Sequence, residues 1–187
     1  GATGNIGRNL IRKLTKNNYK VVAVTRNIHQ KGFQLKTQAN PGYLELVELD
    51  RLDEVKIKDL FNSCSVCINL IGILYEKNKG QFNKIHSVLP NILSKIAKEK
   101  KIDQFIHVSA LGVENASNSV YAKSKLDGEN NVKKNFKNSL ILKPSIVYGI
   151  DDNFTTNFMS LLSKLPIMPL YYNGETKFVP IHVSDLA

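Results

Sequence analysis

Apolar positions along this chain switch between two periods, and the switching predicts helices alternating with short strands. Ile6, Leu10, Ile11 and Leu14 recur at helical spacing, so a helix is expected from Asn5 to about Asn17. Lys20 to Thr25 is a β-branched run between polar residues, the mark of a parallel strand covered on both faces. Residues 27–41 read as a polar connection closing in Asn40-Pro41-Gly42. Tyr43 to Leu49 resumes as a strand, Asp53 to Phe61 as a helix, and Ser63 to Ile71 as the entry to a buried strand closed by Gly72. From Gln81 to Lys100, Phe82, Ile85, Val88, Leu89, Ile92, Leu93 and Ile96 form the stripe of a long helix that Pro90 should kink. Gln104 to Ser109 is a further strand, and a helix opens at Tyr121. Asp151 to Phe154 caps a helix through Leu165, which Pro166 and Pro169 break; Lys177 to His182 is a strand, and Val183 to Ala187 starts another helix.

This order predicts a Rossmann-type α/β fold: a doubly wound, mostly parallel sheet with helices on both faces. Residues 1–150 form the dinucleotide-binding domain and 151–187 the start of a substrate-side region. A first strand of about five residues is expected ahead of Gly1, and most of a C-terminal substrate domain after Ala187. The chain is accordingly read as a fragment.

The candidate chemistry begins at Gly1-Ala2-Thr3-Gly4-Asn5-Ile6-Gly7. Three glycines at this spacing, opening a helix, describe a turn whose backbone can approach a pyrophosphate while the helix N-terminus attracts the anion. Gly1, Thr3, Gly4, Asn5, Ile6 and Gly7 are the candidate phosphate-side residues. A plain glycine turn is the alternative that the context has to outweigh. At the end of the next strand the chain reads Val24-Thr25-Arg26-Asn27, without the acid that usually bonds the adenosine ribose hydroxyls of NAD. Arg26 can pair bidentately with a 2′-phosphate, so NADP(H) is favoured over NAD(H). A surface arginine is the other reading. Asp50, followed by Arg51, ends the third strand, where its carboxylate either meets the adenine amino group or caps the following helix. Leu70, Ile71 and Gly72 lie where the next strand ends and allow close approach to the nicotinamide ribose.

Tyr121 and Lys125 stand one helical turn apart. A lysine cation beside a phenol lowers its pKa, which would let Tyr121 exchange a proton near neutral pH while hydride moves to or from a nicotinamide. Lys125 can also hold ribose hydroxyls. His86 and His107 read as packed structural residues.

Composition trims this picture. Of 26 basic residues only Arg8, Arg12, Arg26 and Arg51 are arginine, the remainder being scattered lysines. The net charge of +10 is therefore a solvated lysine surface rather than a nucleic-acid footprint, with an acidic partner or anionic membrane as the second reading. Cys64 and Cys67 have no further cysteine pair or spaced histidine pair to complete a zinc site. They read as free, partly buried thiols in a reducing compartment.

Taken together, these motifs resemble the short-chain dehydrogenase/reductase superfamily in its extended or atypical branch, which includes epimerases and dehydratases. The likeness runs through Gly1–Gly7, Asp50, Asn69–Gly72, Phe105–Ala110, Tyr121–Lys125 and Leu142–Gly149. Ile68–Gly72, Phe105–Ser109 and Lys143-Pro144-Ser145 look in particular like the nucleotide-binding accessory subunits of respiratory complex I and their bacterial relatives. That resemblance implies bound NADPH with a structural role, Pro144 on the cofactor side, complex I subunits as partners and peripheral membrane association through them. The implied place is cytoplasmic, at the inner face of the respiratory membrane. The enzymatic branch implies instead an oxidoreductase or epimerase acting on a nucleotide sugar or similar molecule, with Tyr121 as acid/base, Lys125 as its support and Ser109 as hydroxyl donor. An NADPH redox sensor is a third reading. Ser109 precedes Tyr121 by only twelve positions, and Leu111 falls where active members carry a hydroxyl, so the oxyanion-type donor is weakened. Residues 167–174 resemble the family's substrate-side loop.

Overall fold

The computed structural model describes residues 1–49, 53–150, 152–164, 171–175 and 177–187. Its elements run α1 (Asn5–Lys16), β1 (Val21–Thr25), α2 (Ile28–Lys36), β2 (Leu44–Glu48), α3 (Glu54–Phe61), β3 (Val66–Asn69), α4 (Leu89–Glu99), β4 (Gln104–Val108), α5 (Val120–Asn135), β5 (Leu140–Leu142), β6 (Val147–Tyr148), α6 (Asn153–Lys164), β7 (Ile181–His182) and α7 (Val183–Leu186). Every strand pair among the described residues is parallel: β1 with β2, β4 between β3 and β5, and β6 with β7. Parallel pairs need crossover connections, which the intervening helices supply.

Two apolar cores result. One joins Ile11, Ala23 and Leu35 across α1, β1 and α2, with Ala2 packed on its edge. The other joins Ala97, Phe105 and Val132 across α4, β4 and α5, with Cys64 and Cys67 partly buried against it as free thiols. The glycine turn touches the first of them and the chain just past β3. Ala2 touches the first core, while a side chain at Gly1 would meet Leu70 backbone and side-chain atoms at 2.5 Å, just past β3.

The sequence reading needs correction in three places. Residues 27–41 are not a plain connection, because α2 lies within them. Asn27 caps it by accepting from Gln30 N at 2.9 Å, and Leu35 drops into the core fully buried. The periodicity of this short helix was hidden because it buries only Gly32 and Leu35 and leaves Phe33 exposed. Second, the long helix is not α-helical throughout: a π-helical turn, Asn83–Val88, runs directly into α4, which carries Pro90 in its first turn. Proline removes one donor and crowds the carbonyl four residues back, and a wider turn relieves that crowding. Third, the last strand is only Ile181–His182, so Lys177–Pro180 lies outside it.

The helix after Asp53 is capped by Asp53 itself, which accepts from Val55 N at 3.0 Å and Lys56 N at 3.3 Å. Asp50, Arg51 and the expected break at Pro166 and Pro169 lie outside the described residues. Asp152 caps α6 through Thr155, with Oδ1 accepting Thr155 N at 2.6 Å.

Candidate functional site

At the glycine turn the geometry depends on missing atoms. A Cβ on Gly7 would overlap the carbonyl oxygens of Gly1 and Ala2, and one on Gly4 would come within 3.3 Å of Gly1 O. Gly4 is the N-cap of α1 and supplies no side-chain acceptor to its first turn. Backbone donors at the positive end of a twelve-residue helix thus face outward with close access, the arrangement that receives a phosphate. A dinucleotide phosphate suits this cradle, because the first turn of α1 carries no side-chain cap and the glycines let the turn close more tightly than a Cβ would allow.

Beside the turn lies a cleft of about 230 Å³. Ile6, Leu70 and Gly72 border it on one side, and Ser109, Tyr121, Lys125 and Pro144 on the other. Seven of the sequence-predicted residues therefore converge on one space. Gly1, Thr3, Gly4, Asn5, Gly7, Arg26 and Ile71 do not border it, and Ile71 N is committed to Asn69 Oδ1 at 3.1 Å. Asn5 instead lines a second hollow of about 150 Å³ between α1 and α7. Arg26 is exposed at the end of β1. An acid does reach this corner, contrary to the sequence reading: Glu48 comes across from β2, and its Oε2 accepts from Ile28 N at 2.7 Å, at the start of α2. Parallel pairing sets Glu48 opposite Thr25, a proximity that adjacency in sequence could not reveal.

The Tyr121–Lys125 pair also differs from expectation. Burial raises the Tyr121 phenol above its ordinary range, and no lysine effect offsets it. Lys125, only 5% exposed, donates from Nζ to Val108 O at 3.2 Å. Burial lowers its pKa to about 8, against a pull upward from Glu129 on the next turn. Ser109 Oγ is buried without a hydrogen-bond partner in the structure, while Leu111 is exposed and bonds through its N–H to Pro144 O at 3.0 Å. Ser145, which the sequence reading did not single out as a site residue, brings a second hydroxyl to the cleft.

Two histidines taken for packing residues sit at the back of this site. His107 is 1% exposed, and its Nδ1 lies 3.1 Å from Asn69 Nδ2. Since Asn69 Oδ1 accepts from Ile71, the amide nitrogen faces His107 and donates, so the imidazole proton is on Nε2, a buried donor that finds no partner in the structure. His86, equally buried, contacts Ile73, Ser124, Phe82 and Tyr121. Burial, with the Lys125 charge second, holds both rings down to about 4, so they are neutral near pH 7. Their one signal in the sequence is a polar residue interrupting an apolar run.

Parallel strands in small sheets, a glycine-cradled helix and a cleft at the carboxyl ends of β3 and β4, apolar for most of its lining but with Ser109, Tyr121, Lys125 and Ser145 on it, define a dinucleotide-binding domain of Rossmann type. The chain belongs to the NAD(P)H-binding family, whose model matches residues 1–152. Among curated relatives, the NADH dehydrogenase [ubiquinone] 1 alpha subcomplex subunit 9, mitochondrial, of Arabidopsis thaliana is 31% identical over 188 residues, covering all of this chain and 47% of that protein. The subunit of the same name from Mus musculus is 28% identical over 187 residues, covering all of this chain and 50% of its own. The chain thus spans about half the length of these relatives. A solved structure of UDP-glucuronic acid 4-epimerase from Bacillus cereus, in complex with UDP-glucuronic acid and NAD, superposes with a TM-score of 0.78 at 21% identity, over all of this chain and 68% of that one. This likeness shows the shared fold. No helix among the described residues is long and apolar enough to cross a membrane.

Proposed function

We propose that this chain is the cofactor-holding part of an NADP(H)-binding protein of the complex I accessory-subunit type, in which the dinucleotide serves fold and assembly rather than turnover. The observation that carries this reading is the resting state of the Tyr121–Lys125 pair. The phenol is held above its ordinary range and the Nζ is turned onto Val108 O, while an exposed Leu111 stands where an active enzyme would present a hydroxyl. A phenol shifted upward is a poor proton shuttle at neutral pH.

In this reading Gly1, Thr3, Gly4, Asn5, Ile6 and Gly7 hold the pyrophosphate, and Arg26 meets the 2′-phosphate. Asp50 and Arg51 serve the adenosine side; Leu70, Ile71, Gly72 and Pro144 bound the nicotinamide side; Lys125 holds ribose hydroxyls. A bound nicotinamide supplies a hydride donor or acceptor. The partners are complex I subunits, as the names of the relatives support, and the place is the inner face of the respiratory membrane.

A second reading has its own support, because Tyr121, Lys125, Ser109 and Ser145 border one cleft. In it Tyr121 is the acid/base, Lys125 its support and Ser109 the hydroxyl donor, in an oxidoreductase or epimerase for a nucleotide sugar or similar molecule. One experiment separates the two. Full-length protein purified without added nucleotide is denatured, and any released dinucleotide is identified by mass spectrometry; fresh protein is then incubated with a panel of nucleotide sugars. Released NADPH that stays reduced with every sugar supports the structural role. Oxidised cofactor or an epimerised sugar overturns it in favour of the enzyme.

A further inference from the structure

We infer that His86 is a positioning residue, a hydrogen-bonded strut that sets the spacing between the loop after β3 and the first turn of α5. The inference rests on the proposed cofactor reading for its purpose but not for its geometry. Ile73 N donates to His86 Nε2 at 3.1 Å. An amide N–H can only donate, so Nε2 carries the lone pair and the ring proton is on Nδ1. From there it is given to Ser124 Oγ at 2.9 Å, and Ser124 passes its own hydrogen to Tyr121 O at 2.7 Å. One neutral imidazole therefore links the cofactor-side loop, through Ser124, to the backbone of the residue that faces the cleft.

Packing fixes the ring as firmly as the bonds do. Phe82 stacks on it at 5.4 Å between centroids, and Tyr121 meets it edge-on at 5.3 Å. Gly72 passes so close that a Cβ there would lie 3.8 Å from Nε2 and 3.3 Å from Lys125 Nζ. The π-helical turn explains how α5 comes near enough. Pro90 has no N–H to offer the His86 carbonyl, and Gly128 of α5 packs onto that carbonyl so tightly that any Cβ at 128 would overlap it. His86 thus touches α5 twice, by its ring at Ser124 and by its backbone at Gly128. The charged or titratable groups at the ring are Lys125, whose charge acts on it, and Tyr121, packed edge-on against it, both from α5; His86 in turn acts on His107 of β4.

The test uses the ¹⁵N-labelled full-length protein. Long-range ¹H–¹⁵N correlation should show the Nδ1–H tautomer of His86 unchanged from pH 5 to 8, and the Ile73 amide should be protected from hydrogen exchange. An Nε2–H tautomer, a ring titrating near its ordinary midpoint, or an unprotected Ile73 amide overturns the strut. Binding of NADPH followed by its fluorescence supplies the second arm. His86→Phe keeps the stack but loses both ring bonds, and affinity should fall about tenfold, the size expected for two lost hydrogen bonds. His86→Gln again offers one acceptor and one donor and should return affinity to within about threefold of wild type. Wild-type affinity in a folded His86→Phe protein, or no recovery in His86→Gln, overturns the positioning role. A wild-type protein that binds no dinucleotide overturns the cofactor reading alone, while tautomer and amide protection still decide the strut.

Discussion

At the glycine turn the decisive feature is the absence of atoms; at the facing wall, where α5 meets β4 and the π-helical turn, it is their crowding. Gly1 and Gly7 leave no room for a methyl group, and the turn presents backbone to whatever binds. Across the cleft, Lys125, Ser109, His86 and His107 are polar side chains each no more than 5% exposed. Of their hydrogen-bonding atoms, His107 Nε2 and Ser109 Oγ find no partner in the structure. The two walls spend stability in opposite ways. A glycine turn costs backbone entropy that is lost on folding whatever the pH. Buried titratable groups cost desolvation, and that cost changes with protonation.

The sharpest way to break this contrast is to add one carbon to each wall. Gly7→Ala and Gly128→Ala should each cost about 3 kcal/mol or more in urea unfolding, because both methyl groups would collide with backbone carbonyls rather than with movable side-chain tips. Gly7→Ala should also abolish dinucleotide binding. Wild-type stability in either variant would show that its wall is not close-packed.

Acid separates the walls next. His86 and His107 are held at about 4 in the folded chain, against an ordinary value of 6.5. Between these values the unfolded chain takes up protons that the folded chain refuses, so stability falls as pH drops from 6.5 towards 4. The expected loss is on the order of 2–3 kcal/mol for each ring, seen as a falling midpoint in chemical unfolding at successive pH values. His107→Gln should flatten its share of this limb, whereas changes in the glycine turn should leave the slope alone.

Smaller effects sharpen the glycine side. Arg26→Asp should weaken NADPH by about tenfold to a hundredfold and change NADH by less than about threefold. Equal losses, read by equilibrium titration, would remove Arg26 from the 2′-phosphate. Glu48→Gln, which removes a carboxylate from the same corner, should move NADPH affinity the other way. The smallest effect belongs to a residue outside both walls: Asp53→Ala should cost about 1 kcal/mol through the lost cap of α3, with no change in cofactor affinity.

The glycine wall was legible in the sequence because it is local. Gly1, Gly4 and Gly7 lie within one turn, and Ile6 to Leu14 carry their own helical period. Tyr121 and Lys125 were legible for the same reason, as neighbours on one helical face. What those residues do there was not. Whether Lys125 acts on the phenol or bonds Val108 O depends on β4, which arrives from 17 positions away in the chain. His86 meets Ser124 across 38 residues, and nothing near His86 in the sequence distinguishes it from a core histidine.

From sequence alone, then, came the alternation of helix and strand, the parallel pairing of the strands, the glycine cradle and seven of the residues that border the cleft. Each rests on short-range regularities: period, turn chemistry and one-turn spacing. Only the tertiary structure decided the helix hidden in residues 28–36, the proton positions on His86 and His107, the carboxylate of Glu48 beside the end of β1, and the raised phenol of Tyr121. All but the helix depend on how much water is excluded and which distant groups are brought within hydrogen-bond reach, and α2 was fixed by Leu35 entering a core assembled from α1, β1 and β2. Burial and long-range proximity are properties of the packed chain, and no local pattern encodes them.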